Sequence, residues 1–279
     1  MTIKKIPRHE GTGRGPRVAA SYYLNSAPLI WSFTARGRRR DEVELLTDAS
    51  PARCAEMLAR GAAEGALVPV VEYQRMEGAL IVPGVCVGAR EEVRSVVLVT
   101  RGRDLKEARS VVLDTTSRTS AALVRVIFRE FLGREPEFVS AGPDVGAMLE
   151  RHDAALIIGD PAMTFAREGL RVFDLARLWR EYTGLGFVFA VWMVREGTGA
   201  VASEIDFAGA RDEGLASAEE IAAAYEKELR LPRAELLSYL RENICYTLDA
   251  EMLEGLQLYY RLAARHGLTD SVRPLKFVT

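Results

Sequence analysis

Five hydroxyl side chains and one guanidinium crowd into the seven residues 114–120, DTTSRTS. An apolar run, SVVLD, precedes them, and a helical apolar pattern over residues 121–132 follows, so the segment reads as a strand-to-helix turn. The first N–H groups of a helix have no partner within it and attract anions. Here Thr116, Ser117, Thr119 and Ser120 add hydroxyl donors, and Arg118 adds a cationic fork suited to a carboxylate. The chemistry that follows is capture of a small anion. A plainer reading gives the same residues to capping the helix. No glycine-rich phosphate loop accompanies them, so a nucleotide fits poorly.

Two further turns have the same layout. SYYLNSAPL (21–29) puts Asn25 and Ser26 at a strand end, where open α/β sheets place their ligand crevice. Asn25 could orient a ligand hydroxyl or carboxylate, or cap the helix that Pro28 begins. IIGDPAM (157–163) carries Gly159, which allows close backbone approach, and Asp160. Asp160 could hold a ligand hydroxyl, act as a base, or cap the helix starting at Pro161. Ser95, after Arg94, lies in a strand expected to cross the floor of a cleft, and TGLGFVF (183–189) reads as a turn entering a second such strand.

The elements that must position these residues follow from hydrophobic period and punctuation. Strand signals at 17–20, 42–46 and 66–71 alternate with helices after Ser26 and Ser50, giving β-α-β-α-β and a parallel sheet. Residues 80–100 read as strands joined by turns. Strands at 110–114, 136–140 and 154–160 then alternate with helices at 121–132, 144–151 and 161–168. A short helix at 176–182 leads to a long apolar strand, 187–195. From 199 to 266 the pattern is helical, with breaks expected at Gly214, Pro232 and near Asp249. The expected architecture is α/β: a two-lobed type-2 periplasmic-binding-protein-like fold with a central cleft and two hinge crossings, near 93–99 and 187–194. Lobe 1 takes residues 17–94 plus 195–279, lobe 2 takes 95–194, and 1–16 form a flexible polar tail.

Composition narrows the function classes. The chain has 279 residues, 48% hydrophobic and 27% charged, with a formal net charge of −2. That balance lacks the positive field that nucleic-acid binding needs. No run is long enough to cross a bilayer, and the basic start is not followed by the apolar stretch of a secretory signal, so a cytoplasmic protein is expected. Three cysteines (54, 86, 245) and three histidines show no metal-ligand spacing and no disulfide framework; neither metal nor cofactor is expected. Arg38–Arg40 read as a solvated loop, Asp212-Glu213 as solvent-facing, and Trp31, Phe33 and Trp192 as core.

Taken in order, SYYLNSAPL, ALVPVVEY, IVPGVCVGAR, VRSVVL, LDTTSRTSAALVRV, LIIGDPA, LWREYTGLGFVFAVW and YLRENICYTLDAEMLEGLQLYY resemble one family over nearly the whole chain. It is the menaquinone-biosynthesis dehydratase/lyase family of the futalosine route. Its lyase branch carries a His in the turn after the LII-type strand. Gly159-Asp160 stand there, so the resemblance is to the chorismate dehydratase branch. Val70, where the family often has Ser, and Tyr23 depart from its pattern.

The resemblance implies chorismate as small-molecule substrate, with a monomer or homodimer and neither nucleic-acid nor membrane partner. Thr116, Ser117, Arg118, Thr119, Ser120 and Gly159 would bind a substrate carboxylate. Asn25 and Ser95 would orient the ring and the leaving hydroxyl. The base would be the substrate's own carboxylate, ranked above Asp160. Competing readings are the sister lyase acting on cyclic dehypoxanthinylfutalosine, a non-catalytic solute-binding protein, and the effector domain of a transcription factor. The last lacks any helix-turn-helix segment.

Overall fold

The computed structural model describes residues 15–197 and 204–279. Most of the tail expected at 1–16, and the start of the helical stretch expected from 199, lie outside them. The described residues include two five-stranded sheets flanked by helices. The first contains β1 (Arg17–Ser21), β2 (Glu44–Asp48), β3 (Gly65–Pro69), β4 (Ala79–Ala89) and β10 (Phe187–Arg195), in the order β2-β1-β3-β10-β4. The second contains β5 (Val96–Thr100), β6 (Ser110–Asp114), β7 (Glu137–Ala141), β8 (Ala154–Ile158) and β9 (Arg171–Asp174), in the order β7-β6-β8-β5-β9.

The two orders are one topology used twice. β1 runs parallel to β2 and β3, as β6 does to β7 and β8. The fourth position of each sheet is antiparallel and is filled by the strand that follows a crossing between the lobes. β5, which follows the first four strands in sequence, joins the second sheet, and β10, which follows the next four, joins the first. This exchange makes the two-lobed α/β architecture.

It also corrects the expected boundary. Residues 187–194 were placed in the second lobe, yet β10 pairs along its length with β3 and β4 of the first sheet. A run of apolar residues says that a strand is buried on both faces, not which sheet holds it. The crossings are the links at 90–95 and 184–186. Gly184 takes a left-handed φ of 73° to end the helix Leu175–Thr183, where its N–H bonds the Arg180 carbonyl at 2.8 Å. In the first crossing Arg94 has φ 60°, and the Asp174 carboxylate holds it by accepting the N–H groups of Val93 and Arg94.

β5 shows how pattern becomes packing. Val96 and Leu98 face a large core shared by both lobes, and Val97 and Val99 face a smaller one with Val112, Ala155 and Ile157. Trp31, Phe33 and Trp192 are core residues as expected. Gly214 does not break its helix, Phe207–Ala216; a Cβ there would lie 1.8 Å from the Pro28 carbonyl oxygen, so the glycine lets two helices touch. Glu213 is not simply solvent-facing, because it receives Arg39, which also bonds Asp206. The helix expected at 161–168 is one short turn, Asp160–Thr164.

Candidate functional site

The carboxyl ends of β1, β3, β6 and β8 open on one cleft between the lobes, where such sheets bind ligands. Its cavity volume is about 60 Å³, so it is narrow in this conformation. From the first lobe Ser21, Tyr23, Asn25 and Pro69 line it, and from the second residues 116–120, Ile158 and Gly159. Phe189 and Ala190 of β10 and Val96 of β5 also face it.

The 114–120 turn is ordered from within. Asp114, 1% exposed, accepts the N–H and the hydroxyl of Thr116 through one carboxylate oxygen, at 2.8 and 2.7 Å. Its other oxygen has no partner among the described residues. Burial pushes its pKa up, against the pull of the Thr116 bonds. The helix Thr119–Val126 starts here with its first closing bond from Ala122 N–H to the Arg118 carbonyl, 3.1 Å. The N–H groups of Thr119, Ser120 and Ala121 therefore have no partner further back in the helix. Arg118 supplies the cap position without a capping side-chain bond. The hydroxyls of Ser117 and Ser120 have no hydrogen-bond partner among the described residues, and both residues line the cleft.

Arg118 does something other than expected. Its guanidinium bonds Glu72 at 2.9 Å and Glu56 at 2.7 Å, both on the first lobe. The side chain is a clasp between lobes, already matched to two carboxylates. Thr119 is a second clasp: its hydroxyl accepts the Val71 N–H at 3.2 Å. A third contact between lobes is Tyr23, whose ring covers Gly159. Burial raises the pKa of Tyr23, so it stays a neutral phenol.

The residues expected to do chemistry separate in space. Asn25 lines the cleft, and its carbonyl oxygen accepts the Ser26 hydroxyl at 3.1 Å. Neither Asn25 nor Ser26 caps a helix by its side chain. Ser95 is fully buried behind the wall formed by Val96, and its Oγ accepts the Tyr239 hydroxyl at 2.7 Å. Asp160 is 4% exposed and does not line the cavity; its carboxylate accepts the Leu24 N–H at 2.9 Å. Phe189 in the cleft lining, Tyr239 as the partner of Ser95, and Glu56 and Glu72 as the partners of Arg118 were not anticipated, since nothing local in their segments distinguishes them from core or surface positions.

No group of three or more His, Cys, Asp or Glu able to hold a metal ion gathers among the described residues. No helix among them is long and apolar enough to cross a membrane.

Residues 16–265 match the family model described as menaquinone biosynthesis. This chain belongs to that family. Within the menaquinone-biosynthesis family its similarity extends to a chorismate dehydratase from Thermus thermophilus, 30% identical over 256 residues that cover 85% of this chain and 91% of the relative. Solved structures confirm the fold at lower identity. The periplasmic aliphatic sulphonate binding protein of Escherichia coli superposes with a TM-score of 0.63 at 14% identity, covering 95% of this chain and 94% of its own. The alkanesulfonate-binding protein of Xanthomonas axonopodis pv. citri, bound to MOPS, gives 0.64 at 14%, covering 95% and 96%. A protein from Archaeoglobus fulgidus gives 0.64 at 16%, covering 92% and 99%. These are periplasmic-binding-protein-like folds.

Proposed function

We propose that this protein is a chorismate dehydratase, a hydro-lyase that converts chorismate to 3-[(1-carboxyvinyl)oxy]benzoate and water in the cytoplasm. The observation that carries the reading is the cleft itself. Helix-start N–H groups and the Ser117 and Ser120 hydroxyls face Asn25 across a narrow, largely apolar slot.

The reaction asks for little else. The chorismate C3 proton is acidified through the ring diene by the ring carboxylate. Its removal leaves an electron pair that expels the C4 hydroxyl, and proton and hydroxide depart together as water. The ring becomes aromatic, which supplies the driving force. The protein must hold a carboxylate, orient the ring and exclude water. The 116–120 turn serves the first task, with donors in place before the ligand arrives. Asn25 serves the second by bonding a ring substituent or the departing hydroxyl. The C3 proton goes to the substrate's own enolpyruvyl carboxylate, because Asp160 is occupied by Leu24 and lies outside the cavity lining.

Incubating the purified protein with chorismate and following the diene absorbance tests this, with the aromatic product identified by mass spectrometry. Unchanged chorismate would overturn it. Turnover of cyclic dehypoxanthinylfutalosine instead would identify the sister lyase, and tight binding without conversion a solute-binding protein.

A further inference from the structure

The hydroxyls of the 116–120 turn are not alike, and their hydrogen bonds decide which of them can give a proton to a ligand. Ser117 and Ser120 are uncommitted and can donate. Thr119 uses a lone pair on the Val71 N–H. Thr116 is committed the other way, because its hydroxyl hydrogen goes to Asp114 Oδ1 at 2.7 Å. A second bond fixes that direction. Oδ1 also accepts the Thr116 N–H at 2.8 Å, so both of its lone pairs are in use and it carries no proton of its own. The Asp114 backbone is held too, its carbonyl accepting the Ser117 N–H at 3.0 Å. Thr116 therefore presents lone pairs, and no hydrogen, to the cleft that it lines. The facing lobe has the opposite polarity. Asn25 lines the same cleft, and its Oδ1 already accepts the Ser26 hydroxyl at 3.1 Å, which leaves its two amide N–H groups as donors.

We infer that Thr116 is the specificity contact for the ring hydroxyl of the substrate, accepting its hydrogen while an Asn25 N–H donates to its oxygen. The inference rests on the proposed dehydration and divides the labour of the turn. Donors on one lobe and an acceptor on the other match a hydroxyl group, which has one hydrogen and two lone pairs. They match a carboxylate poorly. Having no hydrogen to give, it would meet Thr116 lone pair against lone pair, with the buried Asp114 carboxyl behind. Ser117, Ser120 and the helix start hold the carboxylate, and Thr116 holds the C4 hydroxyl. An acceptor also suits the departing group, which carries one hydrogen as hydroxyl and two as water. Once water has left, the aromatic product has no hydrogen at C4 to give Thr116. The site then holds product less well than substrate, which favours its release.

The test compares benzoate with 4-hydroxybenzoate. They share a carboxylate and differ by a hydroxyl para to it, where chorismate carries its C4 hydroxyl. Calorimetry on the full chain should give a Kd for 4-hydroxybenzoate about tenfold below that for benzoate. Thr116→Val, of the same shape but with no acceptor, should bring the ratio near one while changing the benzoate Kd by less than about twofold. Thr116→Ser should restore the ratio. Ser120→Ala should weaken both acids alike and leave the ratio as in wild type. Asp114→Asn, whose amide oxygen can still take both Thr116 bonds, should keep the ratio within about twofold. With chorismate, Thr116→Val should lower kcat/KM on the order of tenfold and leave the inhibition constant of the product nearly unchanged. Equal wild-type affinity for the two acids overturns the inference, and that arm needs no variant to fold. So does a ratio that survives in Thr116→Val or collapses in Ser120→Ala, and a collapse in Asp114→Asn removes Asp114 as the group that orients Thr116. A wild-type protein inert toward chorismate overturns the proposed reaction instead and leaves the benzoate comparison readable, so the two failures are distinguishable.

Discussion

Asp160 of the second lobe accepts the backbone N–H of Leu24 of the first at 2.9 Å, joining the two turns that form opposite lips of the cleft. The bond gives this carboxylate a structural task. It fixes the strand-end loop that carries Asn25, and the residue is 4% exposed.

Asp160→Asn should therefore keep turnover within about tenfold of wild type, since the amide oxygen still accepts the Leu24 N–H. Asp160→Ala leaves that buried N–H unpaired and should cost about 1–3 kcal/mol of stability, read from urea denaturation. An Asn variant that binds chorismate but no longer converts it would return Asp160 to the role of base.

Arg118→Met should destabilise by about 1–3 kcal/mol. The cause is Glu72, whose side chain is 7% exposed and would be left with Arg75 alone at 3.0 Å. The Glu56 arm is 43% exposed, and Glu56→Gln should cost less than about 1 kcal/mol. Urea midpoints of the two variants separate the arms; equal losses would contradict the burial argument.

Gly159→Ala should be more severe. Gly159 has φ 66° and ψ −150°, a region essentially reserved for glycine, worth about 1–3 kcal/mol of strain to any other residue. The new methyl would also stand 2.7 Å from the Tyr23 ring. Loss of both thermal stability and chorismate turnover is expected. A variant with wild-type melting temperature would show that Tyr23 swings away freely.

Cys245 should be the thiol that reacts. Its pKa is pushed down to about 6, chiefly by the neighbouring Cys86 side chain, whose Sγ–H bonds the Cys245 carbonyl at 3.5 Å, whereas burial pushes the pKa of Cys54 up to about 12 and that of Cys86 well above the usual thiol range. A lowered value means thiolate above that pH. Iodoacetamide labelling followed by peptide mass spectrometry should show one modified cysteine, with a rate that rises to a plateau just above pH 6. Cys86→Ala should move the midpoint back toward about 8.5. A midpoint that stays near 6 in that variant would assign the shift to another cause.

Much of this was legible in the chain. The apolar run that forms β5, the helix expected at 144–151, and the glycine-bearing turn at 183–186 each rest on local pattern, so their residues announce them. The 116–120 turn was found for the same reason, because hydroxyl density before a helical apolar run is a local signal. Pairings between distant segments have no such signature. Arg118 reads as a free donor until α-helical carboxylates 46 and 62 positions earlier are seen to take it. The side of the boundary on which β10 falls, and the arrival of Tyr239 beside Ser95, likewise depend on how the sheets close. Asp160 looks like a cap or a base from its neighbours Gly159 and Pro161, and neither neighbour reveals Leu24.

The strand exchange has a consequence for synthesis. Every strand of the second sheet lies within residues 96–174, so that sheet can close as soon as this stretch has left the ribosome. The first sheet cannot. Its β3 and β4 are neighbours in sequence but are separated in space by β10, so roughly the first third of the chain must wait with an open slot until residue 195 emerges. Translation therefore finishes the middle of this protein before its beginning, and the nascent chain carries its N-terminal lobe as an unfinished, pairing-competent edge that needs guarding from neighbouring nascent chains.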